Sequence, residues 1–424
     1  MITLSTDQQK AAAEFMNFMV DDTQQHMIIR GHAGCGKSTL TKHILGMIDK
    51  QMRLMSLIVG KTQKNDLDIY LTAPTNKAAK VLEELTGREA STIQSLLGLR
   101  VTNDYKTGKT GLQKTKEYKL FANSLIIVDE ASFIDPFLLA AIVEATKSCK
   151  VLFIGDPYQL APPKEKNLPV FDLPITVSTL TTINRNAGPI AELAGKYRDA
   201  VSTGIFPTIQ EVSGKIERVD GPGLQALIDV EFKRPDRGDN DAKILAWTNG
   251  KVHQYNTYVR KDIHGYGDAL HVDERVVTNN PIMSNGRMAY STDQLVTITD
   301  SYPKQTSGDE IAGHWVELDN YITRFLPDNQ AEVKQHLKWL AAHKNWAAYF
   351  DVKDTWLDLR PIHSCTIHKS QGSTYDTVFI DLNDIGRCTS FTDAARMLYV
   401  AVSRASNKVI LYGELPPRFY KGTL

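Results

Sequence analysis

No stretch of about 18 apolar residues occurs in the chain, so no membrane-spanning helix is expected. The opening MITLSTDQQKAAAEF lacks a basic segment followed by an apolar core, so no secretory leader is read there. Cysteine is scarce. Cys35, Cys149, Cys365 and Cys388 stand far apart, without the spacing of a metal site or a disulfide framework, which points to a reducing, cytoplasmic setting. Neither sign of charge is in excess, with 49 Lys plus Arg against 49 Asp plus Glu. That excludes a uniformly basic coat for nonspecific nucleic-acid binding but leaves room for a local basic groove. There is no fixed-period repeat and no low-complexity tract. With 42% hydrophobic and 23% charged residues, the 424-residue chain reads as globular. Its length suggests two to four domains.

What is present is a series of short runs rich in Ile, Val and Leu. The first group is MIIR at 27–30, IYLTA at 69–73, LIIVDE at 125–130 and VLFIGD at 151–156. A second comprises KILAW at 243–247, TVFIDL at 377–382 and KVILYG at 408–413. Such runs read as strands buried on both faces. Helical patterns separate many of them, as in NKAAKVLEELTG at 76–87 and DPFLLAAIVEAT at 135–146. Alternation of this kind implies parallel sheets covered by helices, and two series imply two α/β domains.

Two segments break the alternation. Residues 98–119 carry Arg100, Lys106, Lys109, Lys114, Lys116 and Lys119 against Asp104 and Glu117, with TGKTG in the middle, and read as an inserted β-hairpin. Residues 272–359 hold the strand-like QLVTITD and HWVELD and then a helical stretch, NQAEVKQHLKWLAAHKNW. They read as an inserted β domain with a helical arm. Trp315, Trp339, Trp346 and Trp356 fall here and are expected in its core rather than on a base-stacking surface.

Gly31–Ser38, GHAGCGKS, matches G-x-x-x-x-G-K-[ST] between a strand and a helix, the context that makes a P-loop. Its glycines let backbone N–H groups converge on phosphate oxygens, and the helix start adds partial positive charge. Gly34, Cys35, Gly36, Lys37, Ser38 and Thr39 are the candidate phosphate-binding residues. Lys37 is expected to reach the β- and γ-phosphates of ATP, and Ser38 to hold Mg²⁺. Asp129 and Glu130 end the third strand at the same sheet edge. Asp129 is placed to hold Mg²⁺ through water, and Glu130 to deprotonate the attacking water. Gln159, in GDPYQLAP after the next strand, is placed to report on the γ-phosphate.

The P-loop, DEAS, GDPYQLAP, LTTINRNAGPI at 180–190, TIHKSQGSTYDTVFI at 366–380 and LYVAVSRASNKV at 398–409 together resemble the superfamily 1 helicases. The resemblance is closest to the class that moves 5′ to 3′, which includes RecD and the Dda helicases of T-even phages. It spans nearly the whole chain. It implies two RecA-like domains with ATP between them: 1–180, carrying residues 98–119 as a duplex-splitting pin, and 181–271 with 360–424. Residues 272–359 would be an SH3-like domain with a helical tower. Gln8, with Gln9 as its competitor, resembles the residue that reads adenine. Arg185 and Arg404 resemble the two arginine fingers. Pro74, Thr75 and Asn76 of motif Ia and Thr92 of motif Ic are implied to touch the DNA backbone, although Gln94 stands where the family has His. Thr75 also reads as a helix N-cap, a role compatible with that contact. Thr366, His368 and Gln371 of motif V are implied to contact the strand or couple it to ATP. Tyr105 and Leu112 are the nearest candidates for the pin's wedge, the side chain that replaces base stacking at the junction; neither matches the family's wedge, so that residue stays open. The resemblance implies single-stranded and forked duplex DNA as partners, with a single-strand-binding protein as a further one, a monomer, and, for a phage protein, the host cytoplasm. An ATP-driven translocase or switch that does not unwind, and an RNA helicase, carry the same ATP motifs.

Overall fold

The computed structural model of the chain describes residues 4–59, 67–104, 106, 110–162, 165, 167–182, 188–267, 269–284, 287–305 and 311–420. Its first part runs β1 (His26–Gly31), β2 (Asp68–Ala73), β3 (Ala90–Thr92), β4 (Leu99–Asn103), β5 (Thr110–Lys114), β6 (Ala122–Val128), β7 (Ser148–Gly155) and β8 (Thr176–Leu180). Six of these make one parallel sheet in the order β3-β2-β6-β7-β1-β8. The strand runs are apolar throughout because both faces are covered. Met27, Ile29, Leu125, Ile127, Leu152 and Ile154 pack on one side with Phe15, Leu40 and Ile44. Ile28, Ile126, Val128, Val151 and Phe153 pack on the other with Leu138 and Ile142. The alternation follows from the two-residue period of a strand.

β4 and β5 form a separate antiparallel hairpin that pairs Leu99 with Lys114 and Val101 with Leu112. Its base is tied down. Arg100 meets Glu117 at 3.0 Å and Lys114 meets Glu144 at 2.6 Å. Gly98 has φ +68°, and a Cβ there would lie 2.5 Å from the Glu117 carbonyl. Of the two tip candidates, Leu112 packs against the first domain's core instead of projecting, whereas Val101 is 69% exposed. Tyr105 lies outside the described residues.

The chain continues through β9 (Ile216–Val219) and β10 (Ala242–Ala246) into β11 (Arg275–Thr278), β12 (Ile282–Ser284), β13 (Arg287–Tyr290), β14 (Leu295–Gln305), β15 (Ala312–Leu318), β16 (Ile322–Pro327) and β17 (Leu359–Pro361). It then returns as β18 (Ser364–Thr366), β19 (Tyr375–Asp381) and β20 (Ala405–Tyr412). A second parallel sheet has the order β18-β10-β19-β20-β9. Helices Pro189–Thr203 and Phe391–Val402 cover one face and helix Gly221–Phe232 the other. Between these halves, β16-β15-β14-β11-β17 make an antiparallel sheet.

That antiparallel unit departs from expectation twice. Its core is aliphatic, built from Val276, Val296, Ile298, Val316, Leu318 and Ile322, with Tyr290 added. The four tryptophans lie around it, not in it. Trp315, Trp346 and Trp356 are half-buried, and Trp339 is 55% exposed against His336 and His343. Val, Ile and Leu already fill that core, so the indoles pack at its margin: Trp315 on β15 and Trp356 at the end of helix Trp346–Thr355 meet Phe325 edge-on, and Trp339 stacks on His336. The predicted single helical stretch is two helices, Gln330–Ala342 and Trp346–Thr355. Lys344 takes φ 56°, and Asn345 caps the second helix by accepting the Ala348 N–H. No helix among the described residues is long and apolar enough to cross a membrane.

Candidate active site

The loop after β1 carries the P-loop sequence at the C-terminal edge of the first sheet. Gly34 and Gly36 have φ of 83° and 79°, a region open to glycine and strained for other residues. A Cβ on Gly31 would lie 2.5 Å from the Cys35 sulfur. Helix Lys37–Val59 begins at the loop's end and brings Ser38 and Thr39 into its first turn. The Lys37 ammonium donates to the Gly31 and His32 carbonyls at 2.7 and 3.1 Å, so it is held beside the loop. Cys35 is buried, and burial pushes its thiol up, which suits packing and not nucleophilic chemistry. Gln8 is buried too. Its amide donates to the Cys35 and Gly36 carbonyls at 3.1 and 3.2 Å, whereas exposed Gln9 donates to Leu4. Of the two candidates, Gln8 is the one seated on the P-loop.

Asp129 and Glu130 follow β6. The Asp129 N–H donates to Thr72, and the Glu130 N–H to the Asp129 carboxylate at 2.9 Å. Glu130 has φ 50°, which turns its side chain away from the strand line. Its Oε2 is buried and has no hydrogen-bond partner among the described residues. Burial, and then the charge of Asp129, push Glu130 up to about 7, against the pull of Lys37 and Arg404. Burial also raises Asp129, opposed by the Glu130 N–H and Lys37. The group therefore has an uncapped carboxylate oxygen, a lysine and a glycine cradle within one electrostatic environment, which fits a nucleotide triphosphate. The described residues contain no cluster of three or more His, Cys, Asp or Glu suited to a metal. A Mg²⁺ ion would therefore be held by Ser38, by Asp129 through water and by phosphate oxygens, its usual mode beside a nucleotide.

The second sheet's loops close over this edge. Arg404 is buried, and its guanidinium donates to the carbonyls of Val400 and Ser373 and to the Ser403 hydroxyl. Among the described residues it has no carboxylate within ion-pair distance, yet Glu130 is the charge that most favours its protonated form, while burial lowers it. Gln159 and Gln371, both buried, meet across the cleft at 3.2 Å. Gln159 is thus engaged with motif V, a pairing its expected phosphate-facing role did not include. Arg185 lies outside the described residues.

The residues expected to touch DNA line the same edge without forming one cluster. Pro74 is buried, Thr75 half-buried, and Asn76 and His368 exposed. Thr75, Thr92 and Thr366 each cap a helix, accepting the N–H of Ala78, Ser95 and Lys369. Gln94 donates to the Pro74 carbonyl at 3.2 Å, tying the two motifs together.

Residues 16–164 match an AAA domain family, and residues 361–412 match the UvrD-like helicase C-terminal domain. The ATP-dependent DNA helicase dda of Enterobacteria phage T4 is 25% identical over 94% of this chain and 97% of its own. The RecBCD enzyme subunit RecD of Mycolicibacterium smegmatis is 24% identical over 96% of this chain and 71% of its own. Among solved structures, one of two coordinating Pif1 helicases at forked double-stranded DNA has a TM-score of 0.52 at 18% identity, covering 99% of this chain and 94% of that one. By sequence the chain is similar to the superfamily 1 DNA helicases of the Dda and RecD kind, and its fold is that of the Pif1 helicases.

Several contacts in the cleft join residues, most of them within the quoted motifs, that no sequence reading pairs. The Lys77 ammonium donates to the Ser373 hydroxyl, and the Ser373 carbonyl accepts from Arg404. Arg396 donates to the Pro157 and Gln159 carbonyls. Tyr399 donates to Asp156 and accepts the Ala33 N–H. Apart from Ser373 with Arg404, each joins residues more than 200 positions apart, so no local spacing could reveal them. A basic or aromatic residue inside an otherwise apolar helix, as at 396 and 399, is the one sequence signal available.

Proposed function

We propose that the helicase couples ATP hydrolysis to 5′-to-3′ movement along single-stranded DNA and separates duplex DNA at a fork. The observation that carries this is the meeting of two halves. Lys37 and Glu130, at the edge of the first sheet, share one electrostatic environment with Arg404, which comes from the second and has no carboxylate within ion-pair distance among the described residues. Glu130 takes a proton from the attacking water. Lys37 and Arg404 stabilise charge on the phosphoryl group in transit, a role the family resemblance also gives Arg185. Ser38, and Asp129 through water, would hold a Mg²⁺ ion, which would supply further charge neutralisation. Gln8 orients the adenine. Gln371, bonded to Gln159, links the strand-facing motif V to the β7 loop, so a change at the nucleotide is felt at the strand. Thr75, Asn76, Thr92, Thr366 and His368 face the strand. Likeness to a phage helicase supports a role in phage DNA replication or recombination within a bacterial host.

We divide the chain into RecA-like domains at 1–180 and at 181–271 with 360–424, with 272–359 as an SH3-like insert. The β4–β5 hairpin is the pin. Opening a base pair costs about 1.4 kcal/mol per step on average, so the pin must stand firm against that load. Gly98 sets its base. Gly98→Ala adds about 1–2 kcal/mol of left-handed backbone strain, together with a clash at Glu117. The expected result is several-fold slower strand separation with DNA-stimulated ATP turnover within about twofold of the parent. Equal losses in both would show that the hairpin is not the separating element.

The deciding experiment uses partial duplexes with a 5′ or a 3′ single-stranded tail, with Mg²⁺ and ATP. Displacement from the 5′-tailed substrate alone is expected. Displacement from the 3′ tail alone would overturn the polarity. DNA-stimulated turnover with no displacement from either would make the protein a translocase or switch.

A further inference from the structure

We infer that Tyr399 is a positioning residue for ATP turnover, its hydroxyl tying the second domain to the P-loop at Ala33 and to the β7 loop at Asp156. The inference rests on the reading of the cleft as an ATPase site and adds a residue to it. Tyr399 is buried on helix Phe391–Val402, whose neighbouring residues Leu398, Val400 and Val402 belong to the core of the second sheet. Its ring therefore moves with that domain. Its hydroxyl does not stay there. It accepts the Ala33 N–H at 2.7 Å and donates to the Asp156 carboxylate.

Both partners matter to the site. Ala33 directly precedes Gly34, the first left-handed glycine of the P-loop, so the hydroxyl fixes the loop just before it curves round the phosphate position. Asp156 is fully buried, and its other oxygen accepts the Tyr158 N–H at 2.9 Å. A buried carboxylate needs each such donor. Burial and the neighbouring Asp156 charge keep the phenol protonated, so it remains a donor.

The same helix face carries Arg396, one turn earlier, bonded to the Pro157 and Gln159 carbonyls. Arg404 follows directly after the helix. One rigid element thus delivers the arginine finger, grips the β7 loop and holds the P-loop. Tyr399 makes P-loop shape depend on where the second domain sits. Nucleotide affinity would still come from Lys37 and the loop backbone, whereas turnover needs the two halves in register.

The test measures DNA-stimulated ATP turnover for the parent, Tyr399→Phe, Asp156→Asn and the double variant, with thermal melting of each. Phe keeps the ring and removes the hydroxyl. A fall in kcat of about tenfold with the ATP KM within about threefold is expected for each single variant. The double variant should be no slower than the worse single, within about twofold, because Tyr399→Phe already removes the hydroxyl's bond to Asp156 along with that to Ala33. A Tyr399→Phe kcat within about twofold of the parent, a change confined to KM, or a double-variant loss equal to the product of the singles would overturn the inference. Should Tyr399→Phe fail to fold, Asp156→Asn alone decides: a lower kcat with KM held supports it, and an unchanged kcat overturns it. A parent protein with no DNA-stimulated turnover would instead overturn the ATPase reading itself.

Discussion

Glu130→Gln should lower ATP turnover by about 10²–10⁴-fold, the usual contribution of a general base, and leave nucleotide affinity close to the parent's. The carboxylate is placed for the task, with one oxygen buried at the P-loop edge and without a hydrogen-bond partner among the described residues. Burial and Asp129 hold its proton up to about 7. Below that pH the protonated acid predominates and cannot accept the water's proton. kcat/KM for the parent should therefore rise with pH through about 7 and then level off. In Glu130→Gln that limb should vanish. A second consequence runs opposite in sign. A carboxyl whose folded-state value lies above its ordinary one stabilises the fold only while protonated, and that contribution is lost as pH rises through about 7. Gln carries no charge to bury. The variant should melt higher than the parent at pH 8, and the gap should close toward pH 4. Parent-like turnover, or a lower melting point at pH 8, would remove Glu130 from its role.

Arg404→Ala should cut turnover by about 10³-fold or more, within the range known for arginine fingers. Among the described residues this buried guanidinium bonds to two carbonyls and a hydroxyl and to no carboxylate, which leaves its charge for another anion. The phosphoryl group in transit is that anion, and Glu130 already shares its field. Because Arg404 also braces the Ser373 carbonyl, some loss of melting temperature is expected alongside. Kinetics separate the two effects. A lost finger lowers kcat at saturating ATP, whereas a merely loosened loop would be offset by cooling. Arg404→Lys should recover little, since an ammonium cannot reproduce the planar set of donors. Full turnover in Arg404→Ala would show that charge reaches the site from elsewhere.

The P-loop, the acid pair and the parallel strands were legible because each is local. Gly34 and Gly36 sit where only glycine is at ease, and an Ile-Val-Leu run before Asp129 has one stable home, a strand covered on both sides. The choice of Gln8 over Gln9 was not legible, since both fall on one helix turn, and only the seating of that helix on the loop separates them. The helix break at Lys344 was hidden by residues that continue a helical pattern. Nothing in the apolar content of 272–359 showed that the tryptophans would stay outside an aliphatic core. The bonds of Gln371, Arg396 and Tyr399 to the first domain depend on how two sheets face each other, a property no stretch of either one contains.

Lys369 sits in the short helix Ile367–Ser370 of motif V. Its ammonium donates to Asn279 at 2.8 Å and Asp293 at 3.1 Å, both in turns of the antiparallel sheet, and Arg360 joins the same Asp293 carboxylate. That sheet is therefore not cargo carried on two linkers. Anyone grafting another helicase's insert in its place would have to supply a new acceptor pair at those two turns. Without one, the swap would strand a half-buried ammonium group against the helix proposed to meet the DNA, and a chimaera with an intact ATP site would fail for a reason lying in the graft's seam.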